Sequence, residues 1–112
     1  MTIDKREKTV IITSSKDNFA DLNTFMNEYY ATFSNKNLII DLSKNKKIKE
    51  EELIGFEVLQ EKQFEIDRSF VLVARNIDFD EVMEFIMVVP SLTEAFDMVD
   101  MEEIERDLLK EE

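Results

Sequence analysis

The chain has 112 residues, enough for one domain with a single core and no covalent staples. It contains no cysteine and no histidine, which removes disulfides, thiol catalysis, thiolate-bound metals, and the commonest general base and metal ligand. A net charge of −12 argues against nucleic acid and anionic membrane as partners, because both repel it.

In chain order, Thr2–Arg6 alternates weakly and reads as an edge strand. Thr9–Thr13, β-branched throughout, predicts a strand. Ser14, Ser15 and Asp17 supply a turn and candidate N-caps. Phe19, Leu22, Phe25, Met26, Tyr29 and Phe33 then recur at steps of three and four, the signature of one helix face packed on a core. Asn37–Asp41 lies in Asn-Leu-Ile-Ile-Asp-Leu-Ser, a short apolar run ending on a carboxylate. That pattern predicts the buried central strand of a parallel sheet, and the long strand–helix–strand connection predicts a parallel crossover.

The loop Ser43–Lys49 carries four lysines, and Glu50–Glu52 places three carboxylates where they complement the dipole of the next helix. That helix is expected to continue through Leu53, Phe56, Leu59 and Phe64, with Ile54 and Val58 broadening its apolar face. Phe70–Ala74 predicts the next buried strand, Phe79–Phe85 a short helix, and Ile86–Val89 a short strand stopped by Pro90. Ser91–Glu94 is a capping box opening the last helix. Leu92, Ala95, Phe96 and Val99 share one of its faces, whereas Met101, Ile104 and Leu108 share another. Asp100–Glu103 reads as a second N-cap, so the helix is expected to break at Val99–Asp100 or else to expose an apolar stripe. The chain therefore divides into a domain over 1–99 and an acidic helical tail over 100–112. The tail either folds back on the domain or meets a partner or second copy through Met101, Ile104 and Leu108.

No catalytic constellation emerges, and a non-enzymatic protein without cofactor or metal is expected. The acidic runs Asp78–Glu81 and Glu102–Glu112 read as solvated faces, because carboxylate catalysis needs two carboxylates opposed across a cleft. A calcium loop needs spaced oxygen ligands and a turn glycine. Gly55 is the only glycine, too few for a phosphate loop or dinucleotide fingerprint. Ser14 and Ser15 have no histidine base. Asp41 reads as a hydrogen-bonding strand-end residue. Lys44, Lys46, Lys47 and Lys49 form the one positive island visible in the sequence, beyond the carboxyl end of the central strand, where open α/β sheets bind ligands. They suit loop solubility, an acidic partner, or a small ligand held with Ser14 and Ser15. No apolar run approaches the roughly 20 residues of a membrane span. The polar opening up to Lys8 predicts no signal peptide, so a cytoplasmic protein is expected.

At Asn-Leu-Ile-Ile-Asp-Leu-Ser the chain resembles the STAS family, the anti-sigma-factor-antagonist-like regulators, whose central strand commonly ends in Asp-Leu-Ser before a loop and helix. The alternation of strands and helices is similar. Val88–Phe96 (Val-Val-Pro-Ser-Leu-Thr-Glu-Ala-Phe) resembles the family's closing segment, so the likeness runs from Thr9 to Val99. It implies an α/β fold, a mixed four- to five-stranded sheet with packed helices. It also implies a regulatory protein-interaction function with an anti-sigma-factor-like kinase as partner. The implied partner surface is Ser43, Lys44, Lys46, Lys47, Lys49, Glu50, Glu51, Glu52 and Gly55. In the family a loop of the type Asp-Ser-Ser-Gly opens the helix after this strand and carries a phosphorylated serine. Here that place reads Lys49-Glu50-Glu51-Glu52, without serine. Glu50 or Glu51 either imitates phosphoserine or is a helix-start acid in a relative that has lost the switch. The stretch after Ala74 is short for the family. Short acidic chains of this appearance are sometimes labelled ribonuclease Z, but that nuclease's dinuclear zinc chemistry needs histidines that are absent here.

Overall fold

The computed structural model describes residues 2–14, 19–33, 35–45 and 48–110, with backbone alone for 19–21. It is a mixed α/β fold built on a five-stranded sheet. In chain order the elements are β1 (Thr2–Lys5), β2 (Thr9–Thr13), α1 (Phe19–Phe33), β3 (Asn37–Asp41), α2 (Glu50–Ile54) and α3 (Glu57–Glu65). They continue with β4 (Phe70–Val73), α4 (Phe79–Val82), β5 (Val88–Val89) and α5 (Leu92–Lys110). The strands lie side by side in chain order. β1 runs antiparallel to β2, with Ile3 opposite Ile12, and every later pairing is parallel.

Each crossover steps the same way across the sheet, so connections of one hand place the intervening helices on one face. Period-two alternation sorts the strand side chains accordingly. Val10, Ile12, Leu38, Ile40, Phe70, Leu72 and Val88 turn toward Leu22, Met26 and Phe33 of α1, Leu53, Phe56 and Val82. Ile11, Ile39, Val71, Val73 and Val89 turn to the other face, where Ala95 and Val99 of α5 cover them. β3 is buried at all five positions, as expected for a central parallel strand covered on both sides.

Two expectations are corrected. The helix after Glu50 does not run on to Phe64: it breaks at Gly55–Phe56 into α2 and α3. On α3 the buried face runs through Gln63, which is fully buried, whereas Phe64 is 59% and Val58 60% exposed. On α1, Tyr29 also turns out to solvent, and Tyr30 packs against the core instead. α5, in contrast, is not interrupted at Val99–Asp100. It continues as one helix to Lys110 and leaves Met101, Ile104 and Leu108 exposed, the second of the two alternatives. Ser91 Oγ accepts the Glu94 N–H at 3.2 Å and caps its start.

Candidate functional site

At the carboxyl end of β3 the chain turns on an aspartate. Asp41 Oδ1 accepts the Ser43 N–H at 2.9 Å, an Asx turn, and the Asp41 carbonyl accepts the Ser14 N–H at 3.0 Å. Leu42 is fully buried, with its N–H on the Val73 carbonyl at 2.8 Å, so the loop leaves the sheet from a fixed point. Ser43 is half-buried, Asn45 buried and Lys44 exposed, whereas Lys46, Lys47 and Ser15 lie outside the described residues.

The next helix start uses its carboxylates unequally. Glu52 Oε1 reaches back to accept the Lys49 N–H at 2.9 Å, one half of a capping box. Glu50 Oε1 accepts the Asp78 N–H at 3.4 Å and ties α2 to the start of α4. Glu51 is exposed and has no side-chain partner among the described residues. The Lys49 side chain is exposed, and Gly55, also exposed, closes α2 with φ −58°, a helical value open to any residue.

The tail residues form an exposed stripe. Met101, Ile104 and Leu108 are 55%, 59% and 59% exposed on steps of three and four along one helix. Residues on an adjacent flank of α5 are engaged with the domain. Of the acidic runs, Asp78 Oδ1 caps α4 through the Glu81 N–H at 3.2 Å, and Glu103 bonds to β3. Among the described residues no group of three or more carboxylates is placed to hold a metal ion, and no helix is long and apolar enough to cross a membrane.

The opposite end of the sheet, where the parallel strands begin, holds a polar network that sequence reading missed. Asn37, at the start of β3, is 1% exposed. Its Nδ2 donates to Glu103 Oε1 at 2.6 Å, and its Oδ1 accepts the Ser69 N–H at 2.8 Å and the Arg106 guanidinium at 3.4 Å. Arg106 also donates to Ser69 Oγ at 3.1 Å. Beneath them, buried Gln63 donates to the Lys36 carbonyl at 2.7 Å and the Ser69 carbonyl at 3.3 Å, and it accepts from Tyr30 Oη at 2.8 Å. Burial, helped by the charge of Glu65, raises the Tyr30 phenol above its ordinary pKa.

α3 ends with Asp67 in the left-handed region, φ 58°. The Arg68 N–H bonds the Gln63 carbonyl at 2.8 Å and the Asp67 N–H bonds the Phe64 carbonyl at 3.1 Å, a Schellman closure. It sets Arg68 beside the network, with Nε on the Asn35 carbonyl at 2.9 Å. A cleft of about 330 Å³ opens here between Lys8, Lys36, Arg68, Arg106 and Lys110. The lysine loop is therefore not the sole positive island. The second is assembled from four segments scattered along the chain, and no local sequence window contains it. No protein-family model matches the chain, and no curated protein matches it.

Proposed function

We propose that this chain is a non-catalytic, cytoplasmic regulatory module of the STAS type. It binds a protein partner resembling the kinase-like anti-sigma factors through the Ser43–Gly55 segment. The reading is supported by the element order, by the Asp41-Leu42-Ser43 exit from the central strand, and by the position of α2 directly beyond it. One observation carries it. Of the three carboxylates standing where the family's phosphoserine loop would lie, Glu50 and Glu52 are engaged by backbone N–H groups, and exposed Glu51 is left for a partner. Its single charge, set against a phosphoserine's nearly double charge and third acceptor oxygen, makes it a weaker imitation of the phosphorylated state. As a relic of a lost switch it would still favour the helix start by about 0.3–1 kcal/mol.

Affinity capture from the native cell extract tests the reading, with partners identified by mass spectrometry. A kinase-like anti-sigma factor retained more strongly by Glu51→Ser than by the native chain supports it, with Glu51 as a locked mimic. Capture of no such kinase by either form refutes the switch reading.

The exposed Met101, Ile104 and Leu108 stripe favours a second reading, an accessory subunit that binds a partner or a second copy through α5. Deleting the tail is a poor test, because Glu103 and Arg106 bond back to Asn37 and Ser69. The triple change Met101→Lys, Ile104→Lys and Leu108→Lys leaves those bonds in place. Loss of all association in that variant, by capture and by sedimentation, supports the second reading against the first.

A further inference from the structure

The cleft at the amino-terminal edge of the sheet gathers charge against the trend of the chain. Lys8 comes from the β1–β2 hairpin, Lys36 from the α1–β3 turn, Arg68 from the α3–β4 turn, and Arg106 and Lys110 from α5. Three carboxylates, Glu7, Glu103 and Asp107, also line it. Five cations against three carboxylates leave the lining at +2 in a chain whose net charge is −12. A concave site walled by protein concentrates such a local excess and raises the local concentration of anions.

The cations are also not ion-paired among the described residues. Among the described residues none of the five forms an ion pair with a carboxylate; the ion pair there is Arg6–Asp4, on the β1 edge. The two half-buried guanidiniums are held by neutral oxygens, Arg106 by Ser69 Oγ and Asn37 Oδ1, Arg68 by the Asn35 and Asp67 carbonyls. Lys36 Nζ rests on the Arg6 carbonyl at 3.0 Å. Orientation is thus fixed without a carboxylate bonded to any of the five among the described residues. The side chains of exposed Lys8 and Lys110 have no partner among the described residues and stand at the rim.

We infer that this cleft binds a small, multiply charged oxyanion of the phosphate class, such as a diphosphate group. Guanidinium forks match phosphate oxygens in pairs of parallel hydrogen bonds. The volume, about 330 Å³, sits at the small end of the ligand-pocket range of about 300–1,000 Å³. Among the described residues no aromatic side chain lines it, so the anionic group itself is what is recognised. The site lies at the opposite end of the sheet from Ser43–Gly55 and does not depend on the function proposed above.

Inorganic pyrophosphate is the probe, titrated into the full chain by calorimetry and by amide NMR at constant ionic strength. Saturable one-site binding is expected, with shifts at Asn37, Ser69 and Arg106. The double variant Lys8→Gln, Lys110→Gln should weaken it about tenfold. These side chains hold no part of the fold, so the variant's unfolding midpoint should match that of the native chain. Lys44→Gln, at the far end, should bind as the native chain does. Absence of saturation up to about 10 mM, retention of full affinity by the double variant, or shifts centred on Lys44–Lys49 would each overturn the inference. Equal affinity for citrate would overturn the phosphate assignment. Phosphatidylcholine vesicles carrying phosphatidylinositol bisphosphate separate a soluble ligand from a lipid headgroup. No co-sedimentation is expected, and vesicle binding without pyrophosphate binding would overturn the soluble assignment.

Discussion

Gln63 is a buried amide at the junction of α1, α3 and β4, and Gln63→Leu tests whether it is structural. The substitution nearly preserves volume, so the cavity term is small and the hydrogen bonds decide the result. The Lys36 carbonyl loses its 2.7 Å donor, which costs about 1–3 kcal/mol if the oxygen stays buried and unpaired. The Tyr30 bond adds about 0.5–1.5 kcal/mol, at the low end because Tyr30 is half-buried and water can replace the acceptor. The Ser69 carbonyl loses little, since the Leu38 N–H still bonds it at 2.9 Å. Burying an apolar side chain in place of an amide returns about 1 kcal/mol. The net expectation is a loss of about 1.5 kcal/mol, or about 8 °C in unfolding midpoint for a domain of this size. Urea unfolding measures it, with an unchanged slope showing that the unfolded ensemble has not shifted. Tyr30→Phe alone should cost less than half as much. If Gln63→Leu is neutral or stabilising, the amide does not satisfy the backbone at this junction, and the account of the network fails.

Three further outcomes follow from single contacts. Because burial and Glu65 raise the Tyr30 pKa, the folded state holds the phenolic proton after the unfolded chain has released it. Stability from this group is therefore complete below about pH 10 and falls as pH rises through the raised value; alkaline unfolding of the native chain should be steeper than that of Tyr30→Phe. Glu52→Ala should cost about 1 kcal/mol by opening the capping box, whereas Glu51→Ser should stay within about 0.5 kcal/mol of the native chain in urea unfolding. Asp67→Gly should stabilise by about 0.5–1 kcal/mol, because glycine occupies the left-handed region without strain; an unchanged denaturation midpoint would mean that aspartate is already at ease there.

Much of this fold is legible because local pattern and tertiary role coincide. Thr9–Thr13 and Asn37–Asp41 carry β-branched or apolar runs, and the structure places both at those bounds. Phe70–Ala74 and Ile86–Val89 are read too long, since Ala74, Ile86 and Met87 lie outside the strands, although the Ala74 N–H still bonds the Val89 carbonyl at 3.0 Å. Gln63 and Phe64 show where periodicity misleads: Gln63 follows buried Phe56 by about two helical turns on the same face, so an amide takes the core position expected of an aromatic. Asp41, Ser43 and the Glu50–Glu52 turn are legible as a site because they are contiguous. Asn37, Ser69 and Arg106 are not, because each is an unremarkable polar residue until the sheet places them together. The rule that open α/β sheets bind ligands at strand carboxyl ends also directs attention away from them.

The manner in which α5 is held yields one more expectation. Its first half is fixed by apolar burial, Ala95 and Val99 against Ile39, Val71 and Val73. Its second half is held to the domain through Glu103 and Arg106, by hydrogen bonds to Asn37 and Ser69. Exchanging a polar contact for water costs far less than exposing a buried aliphatic side chain. The second half should therefore open locally, without the sheet unfolding. Amide hydrogen exchange should show Ala95–Val99 protected nearly to the global limit, with protection falling from Glu103 onward. Terminal fraying alone produces a similar gradient over the last turn, so the native profile does not decide the question. Asn37→Ala does, because it lies outside α5 and removes the acceptor and donor that meet Glu103 and Arg106. It should speed exchange at Glu103–Arg106 by more than its effect on Ala95–Val99. Equal acceleration along the whole helix would mean that α5 opens only with the sheet, and that the polar anchor has no separate role.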